Sequence, residues 1–226
     1  MSGLKAYLAE FLGTFGLVFI GAGAICSDAM TSGQVGLLGI ALAHALVLAI
    51  MISALMRFSG AHFNPAVTIA VWIGKKFLFK DVLPYIFFQI LGALLAALFL
   101  SWIFPRDIWD PVKLGTPGLG PDFGMGTGIF VELILTFFLV FTVFATAVDS
   151  KGPRQLSGMA IGLVVGFDIL MGGPLTGAAM NPARTLGPAL VSGFWDGHIV
   201  YWIGPILGGL IAAMLYSFLS KEKTSP

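Results

Sequence analysis

Charge is scarce in this chain. Only 10% of its 226 residues are Asp, Glu, Lys or Arg, where a soluble domain carries about 25%. A water-soluble fold with 58% hydrophobic residues would expose apolar patches that aggregate, so the composition indicates a polytopic membrane protein. Net charge is only +1, which gives no electrostatic footprint for a nucleic-acid partner. A single cysteine, Cys26, excludes an intrachain disulfide and leaves the redox compartment open. No His/Cys cluster with metal spacing, no Ser-His-Asp arrangement and no phosphate loop appears. No cofactor, no metal and no enzymatic activity are therefore expected.

Apolar length is abundant. A spanning helix needs about 20 mostly apolar residues, and such runs cover 6–26, 35–56, 83–104, 127–148, 156–173 and 198–219. Two apolar segments, at 64–73 and 181–191, are too short to cross. The N-terminal run, with Lys5 ahead and "GAGA" at 21–24, has the outline of a cleavable secretory signal. Glu10 interrupts it and the run has a partner later in the chain, so a retained helix is the better reading.

Orientation follows from where the basic residues fall. Lys5, Arg57, Lys75, Lys76, Lys80, Lys151, Arg154, Lys221 and Lys223 share one side if six spans alternate. Arg106 and Lys113 lie opposite, diluted by Asp107, Asp110 and Asp122. Both termini are then cytoplasmic, in a multi-pass protein of the cell (plasma) membrane.

The chain also repeats itself. "AEFLGTFGLVF" at 9–19 aligns with "VELILTFFLVF" at 131–141 and carries Glu10 onto Glu132. "SGAHFNPAVT" at 59–68 returns as "TGAAMNPART" at 176–185. Three spans per half is an odd number, so the second copy is inverted relative to the first. Such repeats place their working site near the midplane, on discontinuous helices. One channel domain, 1–226, is expected, with halves at about 1–104 and 127–226 joined by the loop 105–126.

Asn-Pro-Ala has a direct physical reading. Asparagine is a strong N-cap, and proline suits the first helical position. Asn64, Pro65 and Ala66 should open one half helix, and Asn181, Pro182 and Ala183 the other. Capping occupies each amide oxygen and leaves NH₂ donors to point elsewhere. Helix N-termini entering from opposite faces would each bring about half a positive charge to the midplane. Such a site attracts a water oxygen and repels a cation. A water accepting from both asparagines must aim its hydrogens outward along the pore, which breaks one-directional proton hopping.

Six spans, two inverted halves, a glutamate in spans one and four, and paired "NPAV" and "NPAR" resemble the aquaporin, or major intrinsic protein, family, in a water-channel-like form of prokaryotic type. The resemblance implies an all-α membrane protein with six transmembrane helices and two re-entrant half helices. It also implies a homotetramer in membrane lipid that passes water or small neutral solutes passively. Arg184, an ionised residue in an apolar region, is a functional-site candidate by its own chemistry; a structural arginine paired with an acid is the alternative. Counting along the family pattern adds His44, Ile169 and Ala178 to an outer constriction with Arg184. This set departs from the Phe and His of familiar water channels and from the Trp and Gly of glycerol facilitators. For His44, a packed core histidine is the other reading.

Against the pattern of the family's glycerol facilitators, Thr185, Ala189, Tyr201 and Trp202 imply water first, with glycerol passing poorly. Glycerol, hydrogen sulfide and carbon dioxide stay open as alternatives. Glu10 and Glu132 are read as supports for the re-entrant loops, against a proton-carrying pair, and His62 as lining the cytoplasmic vestibule. Asp168 is placed near loop backbone at the outer face. A coupled secondary transporter also shares inverted repeats and broken helices, but it would need coupling groups that the chain does not otherwise supply.

Overall fold

The computed structural model describes residues 3–221; Lys223, counted among the inner basic residues, lies outside them. Long helices run at α1 (Leu4–Met30), α2 (Gly36–Ser59), α4 (Phe79–Ile103), α6 (Met125–Val143), α7 (Ser157–Thr176) and α9 (Val200–Leu219). Short ones are α3 (Pro65–Ile73), α5 (Arg106–Trp109) and α8 (Pro182–Ser192). Six helices are long and apolar enough to cross a membrane. The fold is all-α, with α3 and α8 as the two half helices.

Several helices outrun their apolar stretches. α1 continues through Ser27 and Asp28 to Met30, because backbone hydrogen bonding need not stop where hydropathy falls. α6 ends in a π-helical turn, Phe144–Val148. The ring of Phe144 there fills the space that a side chain on Gly74 would need.

Packing partners pair off twofold. α1 packs on α4 as α6 packs on α9, and α1 on α2 as α6 on α7. Each half helix packs on the last span of the other half: α8 on α4, and α3 on α9. α2 and α7 close the ring against one another. Lipid tails are as apolar as leucine, so burial does not drive such contacts; close backbone approach does. Gly158 and Gly162 of α7 lie over the carbonyls of Ala49 and Ala45 on α2. Gly204 and Gly208 of α9 lie over those of Ile129 and Leu133 on α6, and Gly92 of α4 over that of Phe11 on α1. Large apolar side chains such as Leu38, Phe87, Trp102, Phe130 and Phe167 stay exposed on the outside.

The segment 105–126 is more than a connector. Leu114 and Gly115 are fully sequestered inside the bundle. Gly115 has φ +68°, and an added Cβ would sit 2.9 Å from Cα of Ala22. Only glycine combines that backbone with that approach.

Candidate channel site where the half helices meet

α2 and α7 both end at a left-handed glycine, Gly60 (φ +89°) and Gly177 (φ +79°), the usual helix stop. Short irregular loops follow, and then the two caps. Asn64 Oδ1 accepts from the Ala66 amide at 2.8 Å. Asn181 Oδ1 accepts from Ala183 at 3.0 Å and Arg184 at 3.2 Å. Pro65 and Pro182 occupy the first helical positions. Ala66 and Ala183 are fully buried behind them.

The side-chain amides do more than cap. Asn64 Nδ2 donates to the Met180 carbonyl at 2.8 Å, and Asn181 Nδ2 to the Phe63 carbonyl at 2.8 Å. The two tips are thus cross-linked. This corrects the expectation that both N–H groups of each amide are free: one is committed to the opposite loop, leaving the second for the lumen. One donor per asparagine still suffices to orient a water.

Non-helical backbone at membrane depth must be satisfied from within the protein. Glu10 accepts from the His62 and Phe63 amides at 3.0 and 2.6 Å and from Gln89 Nε2 at 2.7 Å. Glu132 accepts from the Ala179 and Met180 amides at 2.9 and 2.7 Å and from Thr176 Oγ1 at 2.7 Å. Every partner is a donor, as an ionised carboxylate requires. Ala61, Phe63, Ala178 and Met180 all hold positive φ, from 45° to 56°. Each such residue costs about 1–2 kcal/mol, and the glutamate clamps hold the backbone there.

Four residues that the sequence reading passed over, or used for another purpose, complete the scaffold. Ser59 Oγ accepts from the Ala61 amide and Thr176 Oγ1 from that of Ala178. Tyr85 donates to the Ser59 carbonyl at 2.8 Å and Tyr201 to that of Thr176 at 2.7 Å. The matching Ser-Gly-Ala and Thr-Gly-Ala before each motif carried that signal.

At the end of the site next to Gly115, Arg184 is 3% exposed. Its Nη1 donates to the Gly115 carbonyl at 2.7 Å, and its Nη2 lies 3.4 Å from His44 Nε2. Among the described residues no carboxylate pairs with it. His44 Nδ1 lies 2.9 Å from the Ile40 carbonyl. A carbonyl only accepts, so Nδ1 carries the proton and Nε2 offers its lone pair to Arg184. His44 is therefore buried with both ring nitrogens engaged.

One cavity collects these groups. His44, Ile169, Ala178 and Arg184 line it with both asparagines and His62. Its volume is about 30 Å³, and a cavity needs roughly 10–15 Å³ to hold one water. It has room for water. A wider cavity of about 210 Å³ adjoins it at His62 and Val143, lined also by Lys76, Phe77 and Arg154. His62 Nδ1 meets Thr68 Oγ1 at 3.1 Å, and that hydroxyl donates to the Asn64 carbonyl.

Two residues stand apart. Asp168 is buried in α7 and its Oδ2 has no partner, so the expected bond to loop backbone is not made through that atom. Cys26 is fully buried beside Ala22, Leu100 and Leu114, off the cavity wall. A buried thiol is inert. Mercurial treatment should leave water permeability of the unmutated protein unchanged, as checked by light scattering of proteoliposomes before and after exposure.

Comparison with known proteins agrees with this arrangement. The family profile described as Major intrinsic protein matches residues 1–216. The chain is 44% identical over 225 residues to Aquaporin TIP4-4 of Zea mays, covering 96% of this chain and 86% of that one. It is 41% identical over 235 residues to a Probable aquaporin TIP3-2 of Arabidopsis thaliana, covering 96% and 84%. The X-ray structure of the aquaglyceroporin from Plasmodium falciparum is similar with a TM-score of 0.82 at 27% identity, over 94% of this chain and 95% of that one. The chain belongs to the major intrinsic protein family, a family of membrane channels rather than enzymes, and is an integral multi-pass protein.

Proposed function

We propose that the chain is a passive water channel that excludes protons and ions and passes small neutral solutes such as glycerol poorly. The observation that carries this is the small cavity with Asn64, Asn181 and Arg184 on its wall. So small a volume suits water better than glycerol, with its six heavy atoms. Two half-helix N-termini and an unpaired guanidinium repel cations. Each asparagine keeps one N–H for the lumen, so a water at the midpoint accepts there and turns its hydrogens away. Glu10 and Glu132 are occupied holding loops and have no part in proton coupling, which speaks against a secondary transporter.

A second reading, a facilitator of glycerol or other small neutral solutes, is favoured by the similarity to a solved aquaglyceroporin and by the small Ala178 at the outer constriction. We propose further that the protein is a homotetramer in the plasma membrane with both termini cytoplasmic. The side holding Lys75, Lys76, Lys80, Lys151 and Arg154 faces inward, and the exposed apolar side chains face lipid and neighbouring subunits. Rapid mixing of proteoliposomes with impermeant osmolyte and with glycerol separates the readings. Fast shrinkage with slow glycerol re-entry is expected; glycerol entry as fast as water loss overturns the ranking.

A further inference from the structure

The outer constriction is set from behind by α1. A Cβ on Gly21 would fall only 2.4 Å from both Cδ2 and Nε2 of the His44 ring. The ring thus occupies a niche that exists because residue 21 has no side chain. Its other side faces the cavity. The bond from Nδ1–H to Ile40 and the approach of Arg184 to Nε2 hold the ring flat in that niche. The next residue, Ala22, abuts Gly115, whose carbonyl holds the guanidinium. Two consecutive residues of α1 therefore back both polar members of the constriction.

We propose that Gly21 is the positioning residue that sets the width of the lumen at His44, and through it the selectivity between water and larger neutral solutes. This rests on the channel reading. A methyl group at 21 has nowhere to go but the ring. α1 and α2 pack directly on one another, so the yielding direction for the ring is the lumen. In a cavity of only about 30 Å³, that displacement narrows the passage. The effect runs entirely through the imidazole, so removing the imidazole must remove the effect.

The test compares Gly21→Ala, His44→Ala and the double variant in proteoliposomes, reading osmotic water and glycerol permeability per reconstituted protein. Gly21→Ala should lower water permeability at least about tenfold, since pore diameter governs passage. His44→Ala should raise the glycerol-to-water ratio, and the double variant should match His44→Ala within about twofold. A Gly21→Ala channel that conducts like the parent overturns the proposal, and so does a double variant as blocked as Gly21→Ala. If Gly21→Ala alone does not fold, the double variant against His44→Ala decides: equal permeabilities support the proposal, and loss in the double overturns it. An inert parent protein would instead defeat the channel reading itself.

Discussion

Glu132→Ala abolishes water permeation and removes much of the protein's stability. Three buried donors depend on that carboxylate: Thr176 Oγ1 and the amides of Ala179 and Met180. All three residues are buried, and each orphaned buried donor costs about 1–3 kcal/mol. The total, roughly 3–9 kcal/mol, is comparable to the whole stability of a typical domain, about 5–15 kcal/mol. The loop before α8 also holds Ala178 and Met180 at positive φ; without the clamp it relaxes and Asn181 leaves the Phe63 carbonyl. Glu132→Gln is the graded case. Its oxygen can keep the Thr176 and Ala179 donors, but its NH₂ then faces the Met180 amide, donor to donor. Thermal unfolding in detergent should rank parent above Gln above Ala, with permeability in the same order. An alanine variant as stable and permeable as the parent would mean that the clamp does not hold the site.

Arg184→Ala behaves in the opposite way. The guanidinium is buried with no acid beside it, and an uncompensated buried charge costs free energy. Its two bonds, to Gly115 and His44, recover part of that cost. Deleting it should leave thermal stability unchanged or raised, while the outer constriction widens and loses its positive charge. The glycerol-to-water permeability ratio should rise about tenfold or more, and a cation leak should become measurable as decay of an imposed potential. Stability and selectivity thus part company at this residue, where Glu132 binds them together. Unaltered selectivity in a folded Arg184→Ala channel would remove Arg184 from the pore.

How much of this the sequence carried differs residue by residue. The half helices were legible because Asn and Pro act locally: one caps and the other fits the first turn, so α3 and α8 begin at Pro65 and Pro182. Glu10 and Glu132 stood out because a mid-span acid needs a reason and because the two aligned. His44, Ile169 and Ala178 came from the family's spacing, and the fold brings them to one cavity with Arg184. Backbone acceptors were invisible. Nothing in "KLGTPG" says that the Gly115 carbonyl will hold Arg184, so the joining loop read as a tether. The niche behind His44 was equally hidden, since Gly21 sits among other glycines and its effect is an absence. Asn64 and Asn181 each spend one N–H on the opposite loop, a bond that exists only once the two halves meet.

The central claim is that the meeting point of two capped half helices passes water and breaks the proton path. It is tested most directly in one preparation, by recording osmotic shrinkage and the response of an entrapped pH dye under a proton gradient. The account predicts water flux that rises with protein content while proton flux stays at that of empty vesicles. Proton flux rising in step with water flux would contradict it.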